Sequence, residues 1–350
     1  MRKVSFGKRL ISLLLALVMI LGMAPVADIS GWFTKAQAAE GNPVVVVSGS
    51  DYQHSTSGTT MANIAKQIKA SPFGILMGGD YDAGDVYPDA SHLTKVDNAI
   101  ASAFPSVAAA NRIMIQGNHE TYGNLSPDNS ELLDDTGAYE NAHYSVYAIN
   151  YEDFSSASSD LQTYLNGKTG YTKPIFVITH QPLHATNRSG TKDATAIFNV
   201  LNAAGAKGLN IIFLFGHNHS GSYDDYLGGG AIYLKKGDSM RVYGGSSAQT
   251  LNFTYMNCGY VGYSNSRADN GLTMAAFEIY EDEVIIKRYD ANGLHNLKSK
   301  GVATSGYTAN TNVYGSAVLS LDDGTSTIKT LAEKYGVANT AITDFADQKK

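Results

Sequence analysis

The stretch NIIFLFGHNH, residues 210–219, joins an apolar run directly to two histidines. A short apolar run bounded by polar and small residues is typical of a buried strand. His217 and His219 are two residues apart, so in an extended segment their side chains point to the same side. The stretch therefore predicts a core strand that brings two imidazoles together at its carboxyl end.

Four other segments have the same form, an apolar run followed by polar, chemically active residues. They are PVVVVSGSDYQH (43–54), FGILMGGD (73–80), RIMIQGNHE (112–120) and PIFVITHQ (174–181). Residues with helical spacing follow most of these runs, at 61–70, 96–104, 160–165 and 194–204. Alternating strands and helices predict an α/β fold. Shorter strands after residue 230, including a hairpin of 274–280 with 284–289, predict a second sheet.

The first 38 residues have the pattern of a secretory signal peptide. A basic start precedes an apolar run from Leu10 to Ala24, and Ala36-Gln37-Ala38 fits the small-residue rule for cleavage. The alternative is a retained N-terminal anchor. We predict cleavage near Ala38, a secreted or cell-envelope location and no membrane span after signal removal. Cys258 is the single cysteine, so no disulfide forms within the chain.

Composition excludes two classes of protein. The chain has 350 residues, 43% hydrophobic and 17% charged, which is typical of a folded protein and not of a disordered one. Its formal net charge of −6 argues against sequence-specific nucleic-acid binding through a basic surface. Removal of residues 1–38 would make the chain more acidic, because five basic residues and one acidic residue would leave.

The expected organisation has three parts: the signal peptide at 1–38, a catalytic domain at 39–297 and a C-terminal extension at 298–350. Ser, Thr, Gly and Asn are frequent from 298 to 315, which is typical of a linker. The helix-like stretch IKTLAEKY at 328–335 leaves room for part of a small module, but a plain appendage is the simpler interpretation.

Each polar strand end alone is an ordinary turn, but five together predict a metal site. Ligands bind at the carboxyl edge of open α/β sheets. Carboxylates, amide oxygens and imidazoles are ligands for Mn, Fe and Zn. Two such ions about 3.5–4 Å apart can clamp a phosphate and activate a water molecule.

The ordered blocks Asp51, Gly79-Asp80, Gly117–Glu120 (GNHE), His180 and Gly216–His219 (GHNH) resemble the calcineurin-like metallophosphoesterase family over residues 43–292. The resemblance implies a double β-sheet sandwich flanked by helices. It also implies two divalent or trivalent metal ions (Mn, Fe or Zn) and hydrolysis of a phosphate mono- or diester by a metal-bridging hydroxide.

The resemblance also implies a role for each matching residue. Asp80 would bridge the two ions. Asp51 and His219 would hold the first ion. Asn118, His180 and His217 would hold the second, with Asn118 also close to the phosphate. His119 would bind no metal and would protonate the leaving oxygen or stabilise charge there.

The first strand end departs from the family pattern, which has Asp-x-His. Gln53 occupies the position of that histidine, and His54 comes one residue later. Three alternatives remain: Gln53 binds through its amide oxygen, a bulge lets His54 reach, or water fills the position. We favour Gln53, because adjacent residues on an extended segment face opposite ways. Ala83 stands where purple acid phosphatases carry a tyrosine ligand, which argues against an iron–tyrosinate enzyme.

Several neighbouring residues have weaker assignments. His184 lines the pocket or lies on a loop, Asp82 and Asp85 support the loop after Asp80, and Tyr122 and Asn124 are candidates for substrate contact. The expected substrate is a phosphorylated small molecule or a cell-wall phosphodiester. Two rivals are a catalytically weak surface-binding protein that keeps the fold and a phosphoanhydride hydrolase on the same site. The sequence does not predict an oligomeric state.

Overall fold

The computed structural model describes residues 42–82, 90–122, 132–186, 188–219, 233–262, 272–291 and 313–328. Contacts divide the chain after Asn42, and every element below belongs to the unit that begins at Pro43. The predicted signal peptide lies outside the described residues. None of the helices in the described ranges combines the length and the apolar character that a membrane crossing needs.

The first sheet contains eight strands. They are β1 (Val44–Gly49), β2 (Pro72–Met77), β3 (Arg112–Met114), β12 (Gly259–Tyr260), β13 (Thr273–Ile279), β14 (Glu283–Asp290), β15 (Val313–Ser320) and β16 (Ser326–Ile328). Their order across the sheet is β16-β15-β14-β13-β1-β2-β3, and β12 pairs with one end of β13. β1, β2 and β3 run parallel, whereas β13 is antiparallel to β1 and to β14.

The second sheet contains six strands. They are β4 (Gly137–Glu140), β5 (Ser145–Ile149), β6 (Ile175–Thr179), β7 (Ile211–Phe215), β8 (Tyr233–Leu234) and β11 (Thr254–Asn257). Their order is β4-β5-β6-β7-β11-β8, with the four central strands parallel. A separate hairpin joins β9 (Ser239–Arg241) to β10 (Ala248–Thr250).

The described ranges contain five helices, and all but the third pack on the outer faces of the two sheets. They are α1 (Ser57–Ala65), α2 (Ala90–Ala103), α3 (Asn118–Tyr122), α4 (Ser158–Gly167) and α5 (Thr195–Ala206), with 3-10 turns at Ala109–Asn111 and Glu152–Ser155. Apolar residues of α1 and α2 pack on the first sheet. Those of α4 and α5 pack on the second.

β7 explains why the layers stack in this way. Ile212 and Leu214 belong to the core between the sheets, which also contains Val46 of β1. Phe213 and Phe215 face the opposite way, into the core beneath α4 and α5. Because successive residues of a strand face opposite sides, an unbroken apolar run fits only a strand covered on both faces. The predicted α/β fold, a double sheet sandwich flanked by helices, is confirmed.

The structure differs from the sequence predictions in detail. β5, which the sequence analysis did not single out, is buried along its whole length, because it lies between β4 and β6 with cores on both faces. The first helix begins at Ser57 and ends at Ala65, earlier than predicted.

The C-terminal region supplies two strands to the first sheet. β15 pairs with β14 and β16 pairs with β15, and Ala317 and Leu319 are buried between the sheets. Residues 313–328 therefore continue the sheet beyond the predicted boundary at 297, in a region that we expected to be an appendage. The predicted hairpin of 274–280 with 284–289 is confirmed as β13 and β14.

Candidate metal centre

The carboxyl ends of β1, β2, β6 and β7 and the segment after β3 meet between the sheets. The predicted site residues that they bring to this point and bury are Asp51, Gln53, Asp80, His180, His217 and His219. Asn118 and His119, in the first turn of α3, lie beside them and are partly exposed. The structure thus gathers residues that are up to 168 positions apart in the chain, from Asp51 to His219.

One group of donor atoms surrounds His180. Its Nδ1 is 2.6 Å from the carbonyl oxygen of Gly78, so this nitrogen donates, and in the neutral imidazole Nε2 carries the lone pair. That Nε2 lies 3.0 Å from Asn118 Oδ1, 3.2 Å from His217 Nδ1 and 3.3 Å from Asp80 Oδ2. Electron-rich atoms that converge in this way fit a metal cation. A backbone carbonyl that orients the other ring nitrogen is common for metal-binding histidines.

A second group shares Asp80. Asp51, Asp80 and His219 each offer a ligand atom, and these atoms lie within 4.8 Å of one another, as they do for Asp80, His180 and His217. His219 Nε2 is 3.3 Å from Asp51 Oδ1, a buried oxygen that accepts no hydrogen bond. The His219 ring stacks on Tyr260, with centroids 4.8 Å apart. The donor types in both groups suit Mn, Fe or Zn.

Gln53 and His54 point to different surroundings. Gln53 is buried, and its side-chain amide lies 3.1 Å from Asp80 Oδ2. Rotation of that amide by a half-turn would present its oxygen at the same place. His54 instead lies 2.8 Å from the hydroxyl of Thr56. The structure therefore brings Gln53, and not His54, to the bridging carboxylate.

His119 lies at the open side of the site. Its backbone N–H donates to Asp80 Oδ1 at 3.0 Å, and its Nδ1 is 3.2 Å from Asp82 Oδ2. Its side chain is 29% exposed, whereas that of Asp82 is buried. Burial opposes the charged imidazole, but the hydrogen bond that its Nδ1 donates to Asp82 and the charge of Asp80 outweigh burial and raise the pKa of His119 to about 9. The imidazole therefore holds a proton beside the metal-binding groups.

Glu120 fixes the backbone around Asp80. Its carboxylate accepts hydrogen bonds from the N–H groups of Asp80 at 2.9 Å, Tyr81 at 2.7 Å and Gly117 at 2.6 Å. Burial and the charge of Asp80 together raise the pKa of Glu120 to about 7. A buried carboxylate beside another carboxylate costs free energy. The three hydrogen bonds that Glu120 accepts from buried N–H groups offset this cost, and we infer that holding these groups is its role.

The pKa values of the buried ligand candidates shift in opposite directions. Burial favours the neutral form of His180, yet the charge of Asp80 raises its pKa to about 9. Burial, together with the charge of His180, lowers the pKa of His217 to about 3. The pKa of Asp80 is held below its ordinary value, since His180 and His119 outweigh its burial. A lone pair is therefore available on His217.

Four ligand candidates have a left-handed backbone. Their φ angles are 55° at Asp51, 59° at Asp80, 68° at His217 and 49° at His219. Within the described residues, no other non-glycine residue has a positive φ. Such a conformation costs of order 1–3 kcal/mol and persists only where the surroundings impose it. Within the described residues this conformation is restricted to predicted metal ligands, which singles out this edge as the candidate site.

Two glycines allow the close approach of these turns. A Cβ on Gly117 would lie 2.3 Å from Asp80 Oδ1, and one on Gly216 would lie 1.9 Å from Ser50 Oγ and 2.9 Å from Asp51 Oδ2. Neither position has room for a side chain, which explains why glycine precedes the ligands in both motifs.

His184 supports the GHNH loop from below. It is fully buried, its Nδ1 lies 2.7 Å from the hydroxyl of Tyr255, and its Nε2 accepts from the Asn218 amide at 2.9 Å. Burial lowers its pKa to about 3, so it is neutral. His184 thus holds the residue between His217 and His219.

Sequence reasoning missed two residues around the site. Tyr255 and Arg188 belong to no local motif, and no signal in their own neighbourhoods marks them. Asp85, Asn124 and the side chain of Tyr122 lie outside the described part of the chain.

No protein-family model and no curated protein matches the chain. Among solved structures, a dimetal phosphatase from Danio rerio is similar, with 12% identity, a TM-score of 0.48, and coverage of 72% of this chain and 97% of that one. PhoD shares 10% identity, a TM-score of 0.48, and coverage of 84% and 72%. A predicted phosphoesterase from Streptococcus pneumoniae shares 11% identity, a TM-score of 0.34, and coverage of 71% and 90%. These similarities, all at 12% identity or less, concern the fold alone.

Proposed function

We propose that this chain is an exported, metal-dependent phosphoesterase that hydrolyses a phosphate mono- or diester. The observation that supports it best is the pair of donor groups, Asp80 with His180 and His217 and Asp80 with Asp51 and His219, which share one carboxylate. A shared carboxylate between two sets of imidazole and carboxylate donors suits two adjacent ions.

The proposed ligand sets follow the two groups of donors. For the first ion they are Asp51, Gln53, Asp80 and His219, and for the second they are Asp80, Asn118, His180 and His217. Ions bound there would supply a hydroxide nucleophile at neutral pH and neutralise charge on the phosphate. Gln53 in place of a histidine would weaken the first set, because a neutral amide oxygen is a poorer ligand for Zn or Fe than imidazole.

His119 is the proposed general acid. It carries a proton, its Nε2 lies 3.6 Å from Asp80 Oδ2, and its side chain is partly exposed to solvent beside that carboxylate. Asp82 contacts Nδ1, whereas Nε2 lies on the side of the shared Asp80 carboxylate, so Nε2 is the nitrogen that would face the leaving oxygen. Proton transfer by a positioned imidazole contributes typically about 10²–10⁴-fold to a rate.

The proposed substrate is a phosphorylated small molecule or a cell-wall phosphodiester, met outside the cytoplasm. The net charge of the chain gives no general attraction for a polyanion. The bound ions would therefore supply the local positive charge. Nucleic acid recognised by sequence is not among the proposed partners.

The test is to load purified protein with Mn, Fe or Zn and to measure bound metal and hydrolysis of a chromogenic monoester and diester. Asp80→Ala should lose bound metal and activity. His119→Ala should keep the metal and lose about 10²–10⁴-fold in kcat. His143→Ala, at an exposed position, is the control. If no metal binds and neither ester is hydrolysed, the proposal is wrong, and metal binding without hydrolysis of any phosphoester or phosphoanhydride would favour a binding protein.

Export has its own test. N-terminal sequencing of the protein recovered from the culture medium or envelope should begin at Ala39. A chain that starts at Met1 and fractionates with membranes would indicate a retained anchor instead.

A further inference from the structure

Arg188 places a guanidinium beside the candidate metal centre, and the proposed reaction has not used it. Its Nη2 lies 3.0 Å from the carbonyl oxygen of His217 and 3.3 Å from Nε2 of His219. Arginine has no lone pair to offer, so both contacts are donations from the guanidinium. The cation therefore lies next to the nitrogen that faces Asp51.

The segment that carries Arg188 is fastened at both ends. The N–H of Arg188 donates to the Thr186 hydroxyl at 3.2 Å, and the Thr191 hydroxyl donates to the Arg188 carbonyl at 3.0 Å. The side chain of Gln181 exchanges two hydrogen bonds of 2.8 Å with the backbone of Lys192. Gln181 directly follows His180, so the segment is tied to a proposed ligand.

A second attachment comes from Tyr151. Its hydroxyl donates to the carbonyl of Gly190 at 2.5 Å, and the Lys192 ammonium lies 4.1 Å from the centre of its ring. Gly190 has φ 81°, and a Cβ there would lie 2.9 Å from that hydroxyl. These contacts fix the position of Arg188 relative to the rest of the fold.

Within the part of the chain that the structure describes, the guanidinium has no carboxylate partner. Among the described residues, no carboxylate lies within salt-bridge distance of Arg188, and only Nη2 of its three nitrogens donates a hydrogen bond. Arg188 is partly exposed, so its guanidinium can be reached by an anion from solvent. The guanidinium lies close to the two metal ions that we propose. Like charges so close to one another are unfavourable unless an anion lies between them.

We propose that Arg188 binds the phosphoryl group of the substrate and positions it over the metal centre. This inference rests on the proposed phosphoesterase function. The planar guanidinium matches two phosphate oxygens at once, which an ammonium cannot do. When a cation takes the lone pair of His219 Nε2, the Nη2 donor is released for the same phosphate.

The test measures the binding of inorganic phosphate to Mn-loaded protein by calorimetry, with bound Mn determined in the same samples. Arg188→Met should weaken phosphate binding about 10- to 100-fold, the range for a charge-assisted hydrogen bond. Arg188→Lys should restore part of that loss, since a point charge remains. Arg241→Met removes an exposed arginine from strand β9 and should bind phosphate like the wild type.

Kinetics with a chromogenic monoester provide a second readout. Loss of uniform phosphate binding raises KM, and loss of an interaction made only in the transition state lowers kcat. Either change, with Mn content and thermal stability unchanged, supports the proposal. A purely structural role would instead lower the Tm of both Arg188 variants, with no rescue by lysine.

The outcomes separate this inference from the proposed function. Unchanged phosphate affinity in Arg188→Met at full Mn content overturns it, and so does a loss of phosphate binding that only follows a loss of Mn. If the wild type binds Mn and phosphate but hydrolyses no ester, the proposed function fails while the assignment of Arg188 stands. A wild type that binds neither would overturn both.

Discussion

Replacing Glu120 with glutamine tests whether this carboxylate holds the bridging Asp80 in place. The two carboxylate oxygens accept three backbone N–H donors, two at Oε2 and one at Oε1. Glutamine keeps one oxygen. Its best orientation retains the bonds from Asp80 and Gly117 and turns an NH2 group toward the N–H of Tyr81.

The expected loss of stability follows from two buried donors, the new NH2 group and the N–H of Tyr81, which would then face each other without an acceptor. A buried polar group without a partner costs about 1–3 kcal/mol, so the two together would cost about 2–6 kcal/mol. Part of this is offset, because the substitution removes a buried charge from beside Asp80. We therefore expect Glu120→Gln to lower the free energy of unfolding by about 2–4 kcal/mol, a large part of the roughly 5–15 kcal/mol typical of proteins.

Urea unfolding followed by far-UV circular dichroism measures the loss of stability. Calorimetric titration with Mn measures the effect on the site, and we expect affinity to fall about 10- to 100-fold, as for other residues that orient ligands. Glu281→Gln, at an exposed position in the β13–β14 hairpin, should change neither quantity. If Glu120→Gln unfolds at the wild-type urea concentration and binds Mn normally, the three hydrogen bonds do not support Asp80.

Three further predictions concern ligands, packing and the metal. Gln53→Ala should reduce Mn affinity more than His54→Ala in the same titration, because only Gln53 reaches the bridging carboxylate; the reverse order would contradict the structure. Gly216→Ala should destabilise the protein by about 1–3 kcal/mol in urea through overpacking, whereas Gly167→Ala, in open space at the end of α4, should stabilise it by about 0.5–1 kcal/mol. A chelator should lower the Tm reversibly, since an ion at 100 times its Kd stabilises the fold by about 2.7 kcal/mol; an unchanged Tm would argue against resident metal.

The strands and their active ends could be predicted because each signal is local. The run at 211–215 is apolar throughout, so both of its faces must be covered, and the sheets and helices do cover them. His217 and His219 come shortly after this run, in a short motif that can be recognised without knowledge of distant residues. The same holds for Asp80 after β2 and Asn118 after β3.

The supports of the site could not be predicted, since they depend on contacts between distant segments. His184 and Tyr255 are separated by 71 positions, yet one hydrogen bond joins them beneath the GHNH loop. Glu120 belongs to a recognisable motif, but its hydrogen bonds to Asp80 and Tyr81 bridge 40 and 39 positions. Arg188 sits in a polar stretch that resembles any surface loop until the fold places it beside His219.

Composition was misleading at the C-terminal strands. The region from 298 is rich in small polar residues, which favoured a linker. β15 carries only a short alternating signal, with Ala317 and Leu319 on its buried face. β15 and β16 lie at one end of the sheet and extend it from β14. Because pairing with β14 and with each other supplies their backbone hydrogen bonds, their own sequences need little apolar content.

The left-handed ligands explain how the two sheets serve one site. Extended residues would send successive side chains to opposite faces, so a ligand within a strand would point into an apolar core. A left-handed residue in the turn that follows a strand changes the direction of the chain sharply, and Asp51, Asp80, His217 and His219 all lie in such turns. Each such turn costs free energy, and backbone hydrogen bonds such as those to Glu120 hold it. The sheets thus hold four residues in a strained backbone conformation at one edge. Substitutions that relieve the strain at these positions should therefore raise stability and weaken metal binding.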